Sequence, residues 1–237
     1  MPETAAAIVE EVRALGREGY KKVLFTHGVK EPVFGAKIED LKKIQKRIKK
    51  DYRLALELYE TGVYDAMYLA GLIADDAKMT REDLQRWVEK AYASGIYEYT
   101  VPWVAAGSPH GWDIGLEWIE SSKENVAAAG WSTLGSWVAM KSDADLDLSV
   151  LRKLLQRVGK TIHDQPNRVR YTMNGFVIGV GCYVKPLTAA AVEIAGKIGD
   201  VTVDMGGTAC KVPDAASYID KVRQRGSLGK KRKTAKC

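Results

Sequence analysis

The chain has 237 residues, 46% apolar, which is enough to bury a real core in one large domain or two small ones. Three scattered cysteines, Cys182, Cys210 and Cys237, have no CxxC spacing and point to a reduced compartment. No apolar run approaches the ~20 residues that span a bilayer, and the N-terminus lacks a basic-then-apolar signal pattern, so a soluble, cytoplasmic protein with no membrane partner is expected. The net charge of +6 is concentrated at the end of the chain: Lys230, Lys231, Arg232, Lys233 and Lys236 account for all but about +1. A nucleic-acid surface on the body must therefore be a local face.

The first predicted helix covers residues 4–17, apolar through Ile8, Val9, Val12 and Leu15. Residues 19–34 contain Gly28 and Pro32 and read as a connector. Three short helices follow between Gly35 and Ala74. In the first, Ile38, Leu41, Ile44 and Ile48 share one face, and Lys42, Lys43, Lys46, Arg47, Lys49 and Lys50 occupy the other. The second carries Leu54, Leu58 and Tyr59 and ends at Gly62; the third, through Tyr64 to Ile73, is apolar on most sides and expected to be buried. Residues 75–79 read as a loop, and Thr80 caps a helix bearing Leu84, Trp87 and Val88.

Residues 97–106 predict a short aromatic helix kinked or started near Pro102, and residues 113–119 another. Residues 124–141 are apolar nearly all round, the pattern of a helix packed on two sides. Residues 146–163 are amphipathic, with Arg152, Lys153, Arg157 and Lys160 on the polar face. A mostly apolar helix over 167–184 and another over 187–198 come next. Residues 201–203 and 209–212 flank Gly206-Gly207 and suggest a small β-hairpin. A last helix spans 215–225. The tail from Gly226, with almost no apolar side chain, is expected to be flexible.

A basic amphipathic helix followed by an apolar one recurs five times, at roughly 30 to 40 residues per pair. This predicts an all-α, HEAT-like helical-repeat α-solenoid over residues 1–225, with a basic tail over 226–237; a globular helical bundle is the alternative.

Three stretches resemble the DNA alkylation repair family, the HEAT-like glycosylases that remove positively charged alkylated bases. Phe34-Gly35-Ala36-Lys37 before Leu41-Lys42-Lys43-Ile44 is similar to the opening of that family's first full repeat. Trp118-Ile119-Glu120-Ser121-Ser122 resembles a W-x-x-S joint between middle repeats, and residues 167–183 resemble the late helix lining the DNA groove. The resemblance implies double-stranded DNA as partner, a glycosylase activity and no cofactor. A family pattern supplying a catalytic aspartate beside tryptophan is replaced here by residues 94–100, where Glu98 is the nearest carboxylate between Tyr97 and Tyr99. The tryptophan and arginine that follow the joint in the family read Asn125 and Ala128, and the groove tryptophan reads Phe176. DNA binding is therefore implied more strongly than base excision.

A glycosylase of this kind needs a carboxylate to stabilise the oxocarbenium-like sugar, with aromatic faces to hold the departing cation. Glu98 with Tyr97, Tyr99 and Phe176 meets that description, and Asp113 between Trp112 and Trp118 is a second candidate. The plain alternatives are a surface glutamate beside structural tyrosines and a helix-capping aspartate. His27, His110 and His163 are far apart in sequence, so no metal site is expected. Residues 204–210 (DMGGTAC) read as an ordinary turn or an anion-binding nest. Lys42, Lys43, Lys46 and Arg47, then Arg152 and Lys160, then Arg168 and Arg170, are candidates to track a phosphate backbone, joined by Lys230, Lys231, Arg232 and Lys233 of the tail; solvated helix faces are the alternative. The expectation is a monomeric DNA-binding HEAT-like protein, a glycosylase of cationic alkylated bases, or else a non-catalytic scaffold binding DNA structures or a protein partner.

Overall fold

A computed structural model describes residues 3–236. Among them are thirteen α-helices and no strand. The chain begins with α1 (Ala5–Ala14), whose cap Thr4 accepts from the Ala7 amide, and α2 (Glu18–Thr26). The predicted triplet follows as α3 (Ile38–Ile48), α4 (Tyr52–Glu60) and α5 (Tyr64–Ile73). Next come α6 (Arg81–Lys90), α7 (Val101–Gly107), α8 (Gly111–Trp118) and α9 (Glu124–Met140). The last four are α10 (Leu148–Thr161), α11 (Asn167–Tyr183), α12 (Thr188–Ile198) and α13 (Ala215–Gln224).

The helices form the expected all-α HEAT-like array. From α4 to α11 the second helix of each successive pair is the more buried one. Every residue of α5 except Tyr64 is buried, and so are six of the seven in α7. Further along, α9 packs most extensively against α11. The two faces of α9 belong to different hydrophobic clusters: Val126 and Ala129 to the one built from α1–α8, Ala128, Trp131, Leu134 and Val138 to the one built from α10–α13. This is why its sequence is apolar nearly all round. Small residues let the neighbours close in. A Cβ on Gly130 would lie 2.6 Å from the Ile119 backbone nitrogen.

Polar groups fix the joints. Asp65, buried at the start of α5, accepts from the Phe34 and Ala36 amides at 2.7 and 2.8 Å and so holds the loop that leads into α3. Thr80 and Asp83 form a reciprocal capping box at α6, and Asp83 also accepts from Tyr52 at 2.6 Å, linking α4 to α6. Tyr59 stacks on Trp87 at 4.0 Å and donates to its carbonyl. Among the described residues no single helix is long and apolar enough to cross a membrane.

Three sequence expectations are corrected here. Residues 19–34 are not all connector: α2 occupies the first part, and the turn that follows it passes through Gly28, whose φ of +77° favours glycine. The hairpin over 201–212 does not form. Its two flanks bond to α11 instead of to each other: Asn167 pairs with both backbone groups of Asp204, and Asn174 donates to the Pro213 carbonyl. The basic tail is not a loose end. Residues 226–236 form a strap across the C-terminal ends of three inner helices; Cys237 lies outside the described residues.

The strap is held by the carbonyls that helix C-termini leave free. The Gly229 amide donates to Cys182 of α11 and the Arg232 amide to Ala139 of α9, both at 2.8 Å. Lys231 donates to Val138 and pairs with Asp143 at 2.8 Å. Lys236 donates to Ala74, the cap of α5, and pairs with Asp76 at 2.7 Å. Lysines at these ends also meet the negative pole of each helix dipole. Ala235, at 2% exposure, is inserted into the core.

Candidate functional site

The inner helices, α13 and the strap enclose a cleft of about 740 Å³. A π-helical turn, Gly95–Thr100, runs directly into α7 and brings Glu98, Tyr99 and Trp103 to its first wall. Its floor is Trp131 and Gly135 of α9 with Gly175, Phe176 and Gly179 of α11. Trp131 and Phe176 meet edge to face at 5.2 Å. The third wall comes from Tyr218, Arg225, Lys230, Lys231 and Arg232. Glycine shapes the floor: a Cβ on Gly175 would find nothing within 4 Å, so the space beside it is cleft.

Glu98 is the most constrained residue in the lining. Its carboxylate is 1% exposed and is gripped by Arg168, Nε to Oε1 at 2.5 Å and Nη2 to Oε2 at 2.7 Å. This is a two-point guanidinium–carboxylate fork. The Arg168 guanidinium lies over the Tyr171 ring at 4.6 Å and donates to the Met205 sulfur at 3.4 Å. The Tyr171 and Tyr99 hydroxyls are 3.5 Å apart, so the aromatic pair closes over the ion pair. Burial pushes the Glu98 carboxyl above the usual range for glutamate, and Arg168 opposes the shift. Burial likewise raises the Tyr97 and Tyr99 phenols.

The structure brings together some of the sequence candidates and separates others. Glu98, Tyr99, Phe176, Lys230, Lys231 and Arg232 all line the cleft. Arg168 reaches it only as the partner of Glu98, and this corrects its reading as a free phosphate ligand. Lys231 is likewise engaged, by Asp143. Arg170, on the same helix, bonds Asn167 at 3.4 Å. Tyr97 is half-buried against Glu98. Asp113 stands exposed in the first turn of α8, outside the lining, and shares no site with Glu98.

The α3 face also lies outside the cleft. Arg47 is tied to Glu3 at 2.7 Å and to Glu11 of α1 at 2.6 Å, so it joins α3 to the start of the chain, whereas Lys43 pairs at 2.7 Å with Asp40 of its own helix; Lys42 and Lys46 sit on the same helix. Arg152 and Lys160 are exposed on α10, and Lys233 on the strap. Sequence reasoning missed Trp131, Tyr171, Tyr218 and Arg225. The signal for Tyr171 was its place three residues after Arg168, one turn along the same helix face.

The fold agrees with comparisons to other proteins. The sequence profile of the family described as DNA alkylation repair enzyme matches residues 6–203. The chain belongs to the DNA alkylation repair enzyme family. Two relatives, the uncharacterised proteins Lin0241 of Listeria innocua and Lmo0209 of Listeria monocytogenes, are each 35% identical over 223 residues, covering 91% of this chain and 95% of theirs. A solved structure described as "a new family of proteins related to the HEAT-like repeat DNA glycosylases with affinity for branched DNA structures" superposes with a TM-score of 0.91 at 37% identity. That superposition covers 99% of this chain and all of the other. The family profile ends at residue 203, so α13 and the strap, which make the third wall, lie beyond it.

Proposed function

We propose that this chain is a DNA-binding protein of the DNA alkylation repair family that holds branched or distorted DNA on its concave side without breaking a glycosidic bond. The observation that carries this reading is the fork between Glu98 and Arg168. A carboxylate that stabilises a developing sugar cation must present its charge to the sugar. Here both oxygens are already occupied by a guanidinium, and that cation would repel a positively charged alkylated base. The exposed rings of Tyr99 and Tyr218 in the lining and the exposed Arg225, Lys230, Arg232 and Lys233 favour a nucleic-acid ligand over a protein groove. Affinity for branched DNA in the solved relative, which is alike over its whole length, supports the same choice.

The second reading is excision of cationic bases, favoured by the position of Glu98 between Tyr97 and Tyr99 in the wall of the cleft. Binding assays with a four-way junction and a blunt duplex, beside an excision assay on methylated DNA, separate the two. The expected outcome is tighter binding to the junction and no base release. Release of methylated bases that disappears in Glu98→Gln would favour the second reading and overturn the first.

A further inference from the structure

We infer that α13 and the strap turn the open groove into a cleft for an unpaired DNA strand, so that one or two unstacked nucleotides at a branch are the part of the substrate held there. The inference rests on the DNA-binding reading above and adds which part of the DNA enters. A cavity of about 740 Å³ has the size of a small-ligand pocket, typically ~300–1,000 Å³, and is far too small for a duplex. Its lining is the chemistry that holds single strands: ring faces inside and cations at the edge. Tyr99 is 41% exposed and Tyr218 48% exposed, on opposite walls. Such exposed rings in a concave site are unfilled stacking surfaces. Trp131 and Phe176 are buried behind the floor, so they shape it instead of stacking on a ligand.

The cations divide in the same way. Lys231 and Lys236 are spent on the strap's anchors, Asp143, Asp76 and the helix-end carbonyls. Arg225, Lys230 and Arg232 line the rim, and among the described residues none of them forms an ion pair with a carboxylate. A strand whose bases stack on Tyr99 and Tyr218 would run its phosphates past these three. Because the strap is fixed at both ends, the backbone that carries Lys230 and Arg232 is pre-positioned, and only their side chains need ordering on binding.

The test compares a duplex carrying a single-stranded flap with a blunt duplex of the same sequence, using the full chain and fluorescence anisotropy. A 2-aminopurine in the flap reports stacking. The wild type is expected to bind the flap about tenfold or more tighter, with quenched 2-aminopurine. Gly175→Leu projects a side chain into open cleft space, and Tyr218→Ala removes an exposed ring. Each should lower flap affinity about tenfold and so reduce the preference for the flap over the blunt duplex. Circular dichroism melts confirm folding, and if Gly175→Leu is unfolded, Tyr218→Ala decides. Equal affinity of the wild type for flap and blunt duplex, or unchanged flap preference in the folded variants, overturns this inference alone. Absence of all DNA binding overturns the reading on which it rests.

Discussion

At Glu98 and Arg168 the two halves of one ion pair should respond differently to removal. Glu98 is 1% exposed, so Arg168→Ala strands a carboxylate in the interior, which typically costs about 3 kcal/mol or more. At this chain length that is roughly 2–4 °C of melting temperature per kcal/mol. Glu98→Gln keeps one acceptor for Arg168 but turns an amide NH2 toward the second donor of the fork; because the Arg168 side chain retains 17% exposure to water, the loss should be smaller than that of Arg168→Ala. The pH dependence follows from the sign of the shift. The folded pKa of Glu98 lies above its ordinary value of 4.5, so folding favours the protonated acid. Its stability contribution is fully present below 4.5 and is lost as pH rises through the folded value. Losing Arg168 removes the force opposing that shift. The deficit of Arg168→Ala should therefore shrink as pH falls from about 7 toward 4.5, read by thermal melts across the range. A deficit that stays constant, or one equal to that of Glu98→Gln, would contradict this account.

Among the elements, α9 and α11 decide both the packing and the cleft, and their glycines differ in kind. Gly130 sits where a Cβ would meet the Ile119 backbone, so Gly130→Ala should destabilise the protein by about 1–3 kcal/mol through overpacking. Gly175 faces open space in a helix interior, so Gly175→Ala should be neutral or stabilising by up to about 1 kcal/mol. Chemical denaturation of both variants checks the contrast, and equal losses would refute the close-packing argument. Most helices are legible in the sequence because Ile38, Leu41, Ile44 and Ile48, and their counterparts later, repeat at helical spacing. The helix α2 is not: it buries only Leu24 and leaves Val23 and Phe25 exposed, so no apolar stripe marks it. The turn at Gly206 is legible from its glycines, but the partners of its flanks are not, because side chains of α11 hold them. The strap is hidden for the same reason on a longer scale. Lys236 meets Ala74 and Asp76 across most of the chain, through cation–carbonyl and cation–carboxylate bonds that leave no local pattern.

For the whole molecule, the helical array can be reached from residue spacing, and the family, with Glu98, Tyr99 and Phe176, from the short stretches that resemble it. The pairing of Glu98 with Arg168 cannot, because it joins residues 70 positions apart, and with it goes the strongest argument about chemistry. What remains is a division of charge between cations that hold the molecule together and cations that face outward. The most direct measurement is a salt titration of DNA affinity for the wild type and for a Lys230→Ala, Arg232→Ala, Lys233→Ala triple variant, each checked by thermal melting. The account predicts that log K falls steeply with log salt for the wild type. The triple variant should melt at the same temperature, with a slope shallower by roughly 0.7 to 0.9 for each phosphate it no longer neutralises, the lower value for an unpaired strand. DNA binding with an unchanged slope in the folded variant, or no salt-dependent DNA binding at all, would contradict it.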